Sequence, residues 1–302
     1  MKRLIAILIT IGAIYGQNIK AGTLLSGIST LDVISTVSKG VQSVRFRKTP
    51  EIITALIKGE VDLAVIPAEM AAKLYLEGHE ILIVAADMFQ NQAVLARSEE
   101  IKKPEDLKGK IVAALLASGT YMTFKSYMQQ LYGLRPGKDF RIINAAPGAL
   151  PGLLLKGDAD AIVVWEPLVS LSISKGAHIV SDFPSFWRKL GYRGKPVMLL
   201  WVASPKFREK DLLEKFVDIR KGAAEFWINN PDSTVKILEK LYNFDENLAR
   251  LVYSRIEIYP GNLDSRIREN IKLVWKIAWK GGYLEKNPEN IPDSVFLRLQ
   301  GG

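Results

Sequence analysis

Apolar positions in this chain come in short uninterrupted runs, and between the runs they recur at helical spacing. A short apolar run bounded by turn residues suits a strand covered on both faces. Taken in order, the pattern predicts strands over 19–25, 41–46, 63–66 and 81–85, with helices over 31–38, 51–58 and 69–77 between them. Ser29 or Thr30 is placed to cap the first helix, and Pro50 to open the second at the favoured first-turn position. Gly59 and Gly78 would end the second and third in the left-handed conformation that only glycine adopts without strain.

The series then runs again. Strands are predicted over 110–116, 139–143, 161–164 and 179–182, with helices over 121–132, from Pro147 to Gly157, and over 168–175. Lys58, Gly59 and Asp62 return 98 positions later as Lys156, Gly157 and Asp160, and Ser26-Gly27 returns 92 positions later as Ser118-Gly119. An ordered series of matches implies two similar lobes. Alternating strands and helices with short connections predict parallel sheets covered by helices, whose ligands bind beyond the carboxyl ends of the strands. Residues 26–30, 67–70, 118–121, 147–149 and 165–167 would then line a cleft between the lobes.

Two apolar segments, 92–96 and 197–203, read as crossings that hinge the lobes. They divide the chain into a first lobe of 17–91 plus 199–302 and a second of 92–198. Everything after Pro205 has helical spacing: 211–229, 232–241, 245–256 and 264–280, each with an Asp near its start. The tail over 283–299 is expected on the surface of the first lobe.

Composition narrows the classes. The chain has 302 residues, 48% of them hydrophobic and 24% charged, which is ordinary for a globular protein able to bury real cores. The formal charge of +9 comes from dispersed basic residues with no nucleic-acid motif, so it reads as a solvated basic surface and implies no nucleic-acid partner. The absence of cysteine excludes disulfides, thiolate metal sites, a cysteine nucleophile and a lipid-attachment cysteine. His79 and His178 are far apart, each just before a strand, and no metal-ligand spacing, Ser-His-Asp pattern or phosphate loop is present.

The first 16 residues have the shape of a secretory leader. Lys2 and Arg3 precede an apolar run over 4–14, with small Gly16 as a cleavage position. That run is too short to span a membrane comfortably, though it could stay uncleaved as an anchor. A buried first element is the competing reading.

These features together resemble the extracytoplasmic substrate-binding proteins of ABC importers in the nitrate/sulfonate/taurine and thiamine-precursor group. The resemblance rests on residues 56–67, on Pro104-Glu105-Asp106-Leu107-Lys108-Gly109-Lys110, and on residues 154–167 ending in Trp165-Glu166-Pro167. It extends to the helix stop at Asn229-Asn230-Pro231 and to 277–284 with 288–295, so it covers nearly all of the chain after the leader. It implies an α/β, two-lobed periplasmic-binding-protein fold of type II, with the ligand cleft between lobes joined by two crossover segments. A membrane permease and its ATPase would be the partners of a monomeric binding protein, and no cofactor is implied.

The resemblance places Ser26, Gly27 and Ser29 in one ligand-contacting loop and Ser118, Gly119 and Thr120 in its equivalent. Hydroxyls and unpaired N–H groups at helix N-termini suit an anionic or polar group, although Ser29 and Thr120 would serve equally as caps alone. Trp165 would stack on a planar ligand or pack at the lobe edge. Pro67 and Glu69, with Glu166 in the echo, sit at the strand ends. The two acids suit helix first turns for structural reasons, and facing the cleft they would disfavour a simple anion and favour a zwitterion or heterocyclic amine. Tyr121 and Phe89 are weaker candidates. The expected function is non-catalytic trapping of a small organic anion, zwitterion or heterocycle by lobe closure. The alternatives are an enzyme on the same fold, of the futalosine-pathway type in menaquinone biosynthesis, and a membrane-held sensor module. The thiamine pyrimidine synthase of yeast type needs a cysteine-rich motif that this chain lacks.

Overall fold

In the computed structural model the described residues are 18–298, so the leader-like segment lies outside them. The first sheet holds β1 (Ile19–Leu24), β2 (Val41–Phe46), β3 (Leu63–Pro67) and β4 (Leu82–Phe89), joined by β10 (Val197–Ala203), in the order β2-β1-β3-β10-β4. Helices α1 (Leu31–Val37), α2 (Thr49–Lys58) and α3 (Ala68–Leu76) link its first four strands. Leu63, Ala64, Val65 and Ile66 are all buried, as expected for a strand packed on both faces.

The second sheet repeats the plan. It contains β5 (Ala93–Ala96), β6 (Ile111–Ala114), β7 (Arg141–Asn144), β8 (Ala161–Val164) and β9 (His178–Asp182), in the order β7-β6-β8-β5-β9. Its helices are α4 (Gly119–Tyr132), α5 (Leu150–Lys156), α6 (Leu168–Ile173) and α7 (Phe183–Lys189). The recurring Lys-Gly-x-x-Asp stretch does one job in both lobes. Gly59 and Gly157 end α2 and α5 at φ of 71° and 80°. Asp62 Oδ2 accepts from the Lys20 N–H at 2.7 Å, and Asp160 Oδ2 accepts from the Ile111 N–H at 2.7 Å. Each aspartate thus pins the amino end of its neighbouring strand, on the side away from the cleft.

The sheets are mixed, which corrects the expectation of purely parallel ones. β10 runs antiparallel to β3 and β4, and β5 antiparallel to β8 and β9. The two crossing segments are therefore strands, each inserted in the sheet of the lobe it has just entered. The chain arrives from the cleft side without a crossover helix, so it must run opposite to its neighbours. The crossings themselves are short. Gln90 N–H donates to Pro196 O at 2.7 Å, tying the two together, and β10 joins the first sheet from Val197.

After β10 the chain forms α8 (Lys210–Asn229), α9 (Pro231–Tyr242), α10 (Glu246–Arg255) and α11 (Ser265–Lys280). Asp245 and Asp264 cap α10 and α11 through the Leu248 and Ile267 N–H groups, whereas Asp211 and Asp232 lie inside first turns. Helix α7 was not expected, although Asp182 caps it and Pro184 sits in its first turn. Beyond α11, Phe296 stacks on Trp275 and bridges to Ile83, which seats the tail on the first lobe. One apolar core is continuous between the lobes, running from Ala71 and Ala72 of α3 through Val274 and Trp275 of α11 to Phe124 and Tyr127 of α4.

Candidate ligand-binding cleft

The cleft is built where the carboxyl ends of the two sheets meet. On the first lobe, the loop after β1 is held from below by two buried acids. Asp87 accepts from Trp201 Nε1 at 2.7 Å, from the Thr30 N–H at 3.3 Å, and from the Thr30 hydroxyl. Asp32 is paired with Arg45, accepts from the Tyr242 hydroxyl at 2.7 Å and from the Ser29 N–H at 3.2 Å. Burial pushes Asp32 up to about 6 against the opposing pull of Arg45, and burial also raises Asp87. These contacts fix the loop's shape and leave its outer rim free.

On the second lobe, Ser118 caps α4. Its Oγ accepts from the Tyr121 N–H at 3.1 Å and donates to Leu115 O at 2.7 Å. The first turn beyond it, Gly119 and Thr120, is buried and carries N–H groups without partners inside the helix.

Two contacts close the cleft, one on each side. Glu69, in the first turn of α3, lies against Gly119 so closely that a Cβ there would overlap its carboxylate. The side chain is buried, burial pushes it up to about 7, and only its own main-chain N–H opposes that rise. Tyr127 and Tyr283 are near enough to feel its charge. On the far side, Glu166 Oε1 pairs with Arg255 Nε of α10 at 2.6 Å and Oε2 accepts from the Ser170 N–H at 3.2 Å. Burial raises Glu166 more than Arg255 lowers it. Asn91 of the first crossing accepts from the Glu166 N–H at 3.2 Å. Behind Glu69, the end of α11 packs on α4: a Cβ at Gly281 would overlap the Met122 carbonyl oxygen, and Lys280 Nζ reaches Gln130 Oε1 at 3.0 Å. The lobes are therefore in contact on both sides, in a closed arrangement.

The candidate residues separate accordingly. Glu69, Ser118, Gly119 and Thr120 come together across one wall, and Trp165 and Glu166 belong to the other. Pro67 ends β3 half-buried opposite Leu199. Trp165 is half-buried at the end of β8, and its indole N–H has no partner among the described residues. Ser26 is exposed at the rim, and Gly27 offers its carbonyl to the Tyr242 hydroxyl at 2.8 Å. Ser29 is turned into its own lobe, where Oγ accepts from the Leu31 N–H at 3.2 Å. Tyr121 is buried in α4, and Phe89 meets Tyr259 edge-on at 5.7 Å. A concavity of about 280 Å³ opens between the lobes beside the crossings, lined by Phe89, Gln90, Asn91, Arg188 and Arg255 among others.

Asp32, Arg45, Asp87, Tyr242 and Arg255 were not anticipated. Asp87 had a signal, since an acid inside the apolar run Ile83-Val84-Ala85-Ala86 must be satisfied when buried. Arg255 had none, as one basic residue on an amphipathic helix looks like any other.

Two lobes with this strand order, two crossings and a cleft at the strand ends define a type II periplasmic-binding-protein fold. The chain belongs to the family described as NMT1/THI5 like, whose model matches residues 43–234. It is 28% identical over 212 residues to the taurine-binding periplasmic protein of Escherichia coli strain K12, a match spanning 68% of this chain and 62% of that protein. The fold matches the periplasmic aliphatic sulphonate binding protein SsuA from Escherichia coli with a TM-score of 0.73, 17% identity and 89% of each chain covered. It also matches the alkanesulfonate-binding protein SsuA from Xanthomonas axonopodis pv. citri, bound to MOPS. There the TM-score is 0.74 at 16% identity, over 93% of this chain and 98% of that one.

Proposed function

We propose that this chain is the extracytoplasmic solute-binding component of an ABC importer, and that it acts without catalysis. It would trap a small organic anion, zwitterion or heterocycle of the sulfonate, taurine, nitrate or thiamine-precursor class. The observation that carries this reading is the pair of contacts across the cleft, Glu69 on Gly119 and Glu166 on Arg255, which join one lobe to the other. The family and the taurine-binding relative support the transport role.

The lobes would be 17–91 plus 199–302 and 92–198, hinged at the two crossings. Solute touching both lobes stabilises the closed form, and the closed form docks on a membrane permease driven by its ATPase. Ser26, Gly27 and Pro67 at the rim, Ser118, Gly119 and Thr120 at the start of α4, and the free indole of Trp165 are the contacts assigned to the solute. The leader-like segment over 1–16 would deliver the monomeric protein outside the cytoplasm. No described helix is long and apolar enough to cross a membrane.

The test is small-angle scattering and thermal unfolding of the purified chain against taurine, short alkanesulfonates, nitrate and 4-aminopyrimidine. A solute that raises the melting temperature and shifts the scattering toward the closed form supports the reading. An indifferent response to the whole panel, together with no co-purifying small molecule in native mass spectrometry, overturns it.

A further inference from the structure

The two walls of the cleft are unequal in charge. On one, the Glu166 carboxylate is balanced by Arg255. On the other, the Glu69 carboxylate is 5% exposed, lies against the Gly119 backbone and is opposed by no cation. Two tyrosines stand beside it, both part of the apolar core that joins the lobes. Tyr127 reaches in from α4 with its hydroxyl buried and unpartnered, and Tyr283, after α11, has its hydroxyl on Met70 Sδ at 3.5 Å. A carboxylate removed from water without a partner is strongly destabilising, and enclosing a cation beside it removes that cost. Glu166 cannot play this part, because its charge is already met.

We propose that Glu69 is the charge-selecting residue of the cleft, and that the enclosed solute carries a cationic nitrogen, an ammonium or a protonated ring, which pairs with the Glu69 carboxylate. This rests on the solute-binding reading above and narrows it. Simple anions such as nitrate, and sulfonates without an amine, bring no partner for Glu69 and place a like charge near it. A zwitterion satisfies it and is thereby oriented, nitrogen toward α3.

The test uses matched probes that differ only in the nitrogen: taurine against isethionate, where a hydroxyl replaces the ammonium, and 4-aminopyrimidine against pyrimidine. Affinities are measured by calorimetry for the wild type, Glu69→Gln and Glu166→Gln. The expected result is a preference of about tenfold or more for the amine member, the scale of one charge-assisted hydrogen bond. Glu69→Gln should collapse that preference to about threefold or less, while Glu166→Gln weakens both members of a pair equally. Equal affinity for both members in the wild type, or a preference that survives Glu69→Gln, overturns the inference and leaves the solute-binding reading standing. Binding of neither member of any pair overturns the inference, and the scattering panel above then decides the broader reading separately. The wild-type comparison stands alone if Glu69→Gln fails to fold.

Discussion

Glu69 and Glu166 lie in the same strand-to-helix junction of the two repeats, 97 positions apart, and reach across the cleft in opposite directions. Glu69 leaves the first lobe to rest on Gly119 of the second, and Glu166 leaves the second lobe to pair with Arg255 of the first. A duplicated scaffold has thus produced two reciprocal bolts. One is neutralised by protein and the other is not. That difference separates holding the lobes together from choosing what they enclose.

The neutralised bolt should control closure. Arg255→Ala leaves a fully buried carboxylate unpaired in the closed form, a cost of about 3 kcal/mol that opening relieves. The expected result is a larger radius of gyration without solute and affinity lower by about a hundredfold for any solute bound. Glu166→Gln keeps a hydrogen-bond acceptor and should lose less. Scattering and calorimetry on the same samples check this; an unchanged radius in Arg255→Ala would show that the pair does not hold the lobes.

Gly281 gives a second way to prop the lobes apart. It sits at φ of −77°, an ordinary helical conformation, so alanine brings no backbone strain. The added methyl would instead overlap the Met122 carbonyl oxygen, which belongs to the other lobe. Overpacking of this kind costs about 1–3 kcal/mol, and only in the closed form. Gly281→Ala should therefore lower affinity roughly tenfold while leaving the urea midpoint of the solute-free protein nearly unchanged. A fall in the urea midpoint equal to the loss in binding would place the clash in the fold as a whole.

The legible part of this protein was its repeated punctuation. Gly59 with Asp62, and Gly157 with Asp160, are local signals because a helix stop and a strand pin depend on the residues beside them. The same locality made the boundaries of α8 to α11 readable. The direction of β5 and β10 was not readable, because strand polarity depends on which lobe the chain is entering, and no apolar run records that. In the cleft, Glu69 and Glu166 could be picked from their place at strand ends, while their different fates could not. Arg255 lies 89 residues from Glu166, and pairing at that distance leaves no trace in spacing.

Asp87 should prove to be a stability residue of the first lobe. Its carboxylate holds the Trp201 indole N–H and the Thr30 backbone and hydroxyl, all buried, with Arg220 close enough to ease its charge. Asp87→Ala orphans these donors together and should cost about 3 kcal/mol, read as a lowered urea midpoint with an unchanged slope. Asp87→Asn keeps one acceptor oxygen and should cost less than half as much. Thr30→Val removes the hydroxyl that donates to Asp87 and accepts more weakly from Trp201 Nε1 at 3.3 Å, and should cost near 1 kcal/mol, about the value of one hydrogen bond, because the Trp201 N–H keeps Asp87 as its acceptor. Equal losses for Asp87→Ala and Thr30→Val would mean that the hydroxyl contact carries most of the energy.

Closure should depend on pH through Glu69, and the sign is opposite to that of a salt-bridged acid. Its carboxyl is raised from 4.5 to about 7 because burial penalises the charged form. Below about pH 4.5 the group is protonated whether buried or exposed, and it costs the closed form nothing. Between about pH 4.5 and 7 the exposed group ionises while the buried one stays neutral, so the closed form loses ground as pH rises. Above pH 7 the full difference is reached, about 3 kcal/mol. The groups facing Glu69, Tyr127 from α4 and Tyr283 after α11, are themselves pushed up by burial and stay neutral throughout this window. Asp32, raised to about 6, acts in the same direction, but it lies inside the first lobe and is buried whether the lobes are open or closed. Scattering from the solute-free wild type should therefore show a more open ensemble at pH 8 than at pH 5. Glu69→Gln should reduce that difference to the part contributed by Glu166, which burial also raises at the other side of the cleft, whereas Asp32→Asn should shift overall stability and leave it in place. If Glu69→Gln opens as far as the wild type does, the proton linked to closure belongs to another group. If a solute with a cationic nitrogen is bound, Glu69 must be ionised to pair with it, so at pH 6 the closed solute-free form releases close to one proton on binding and the open form, already ionised, almost none; calorimetry in buffers of different ionisation enthalpy reads the mixture.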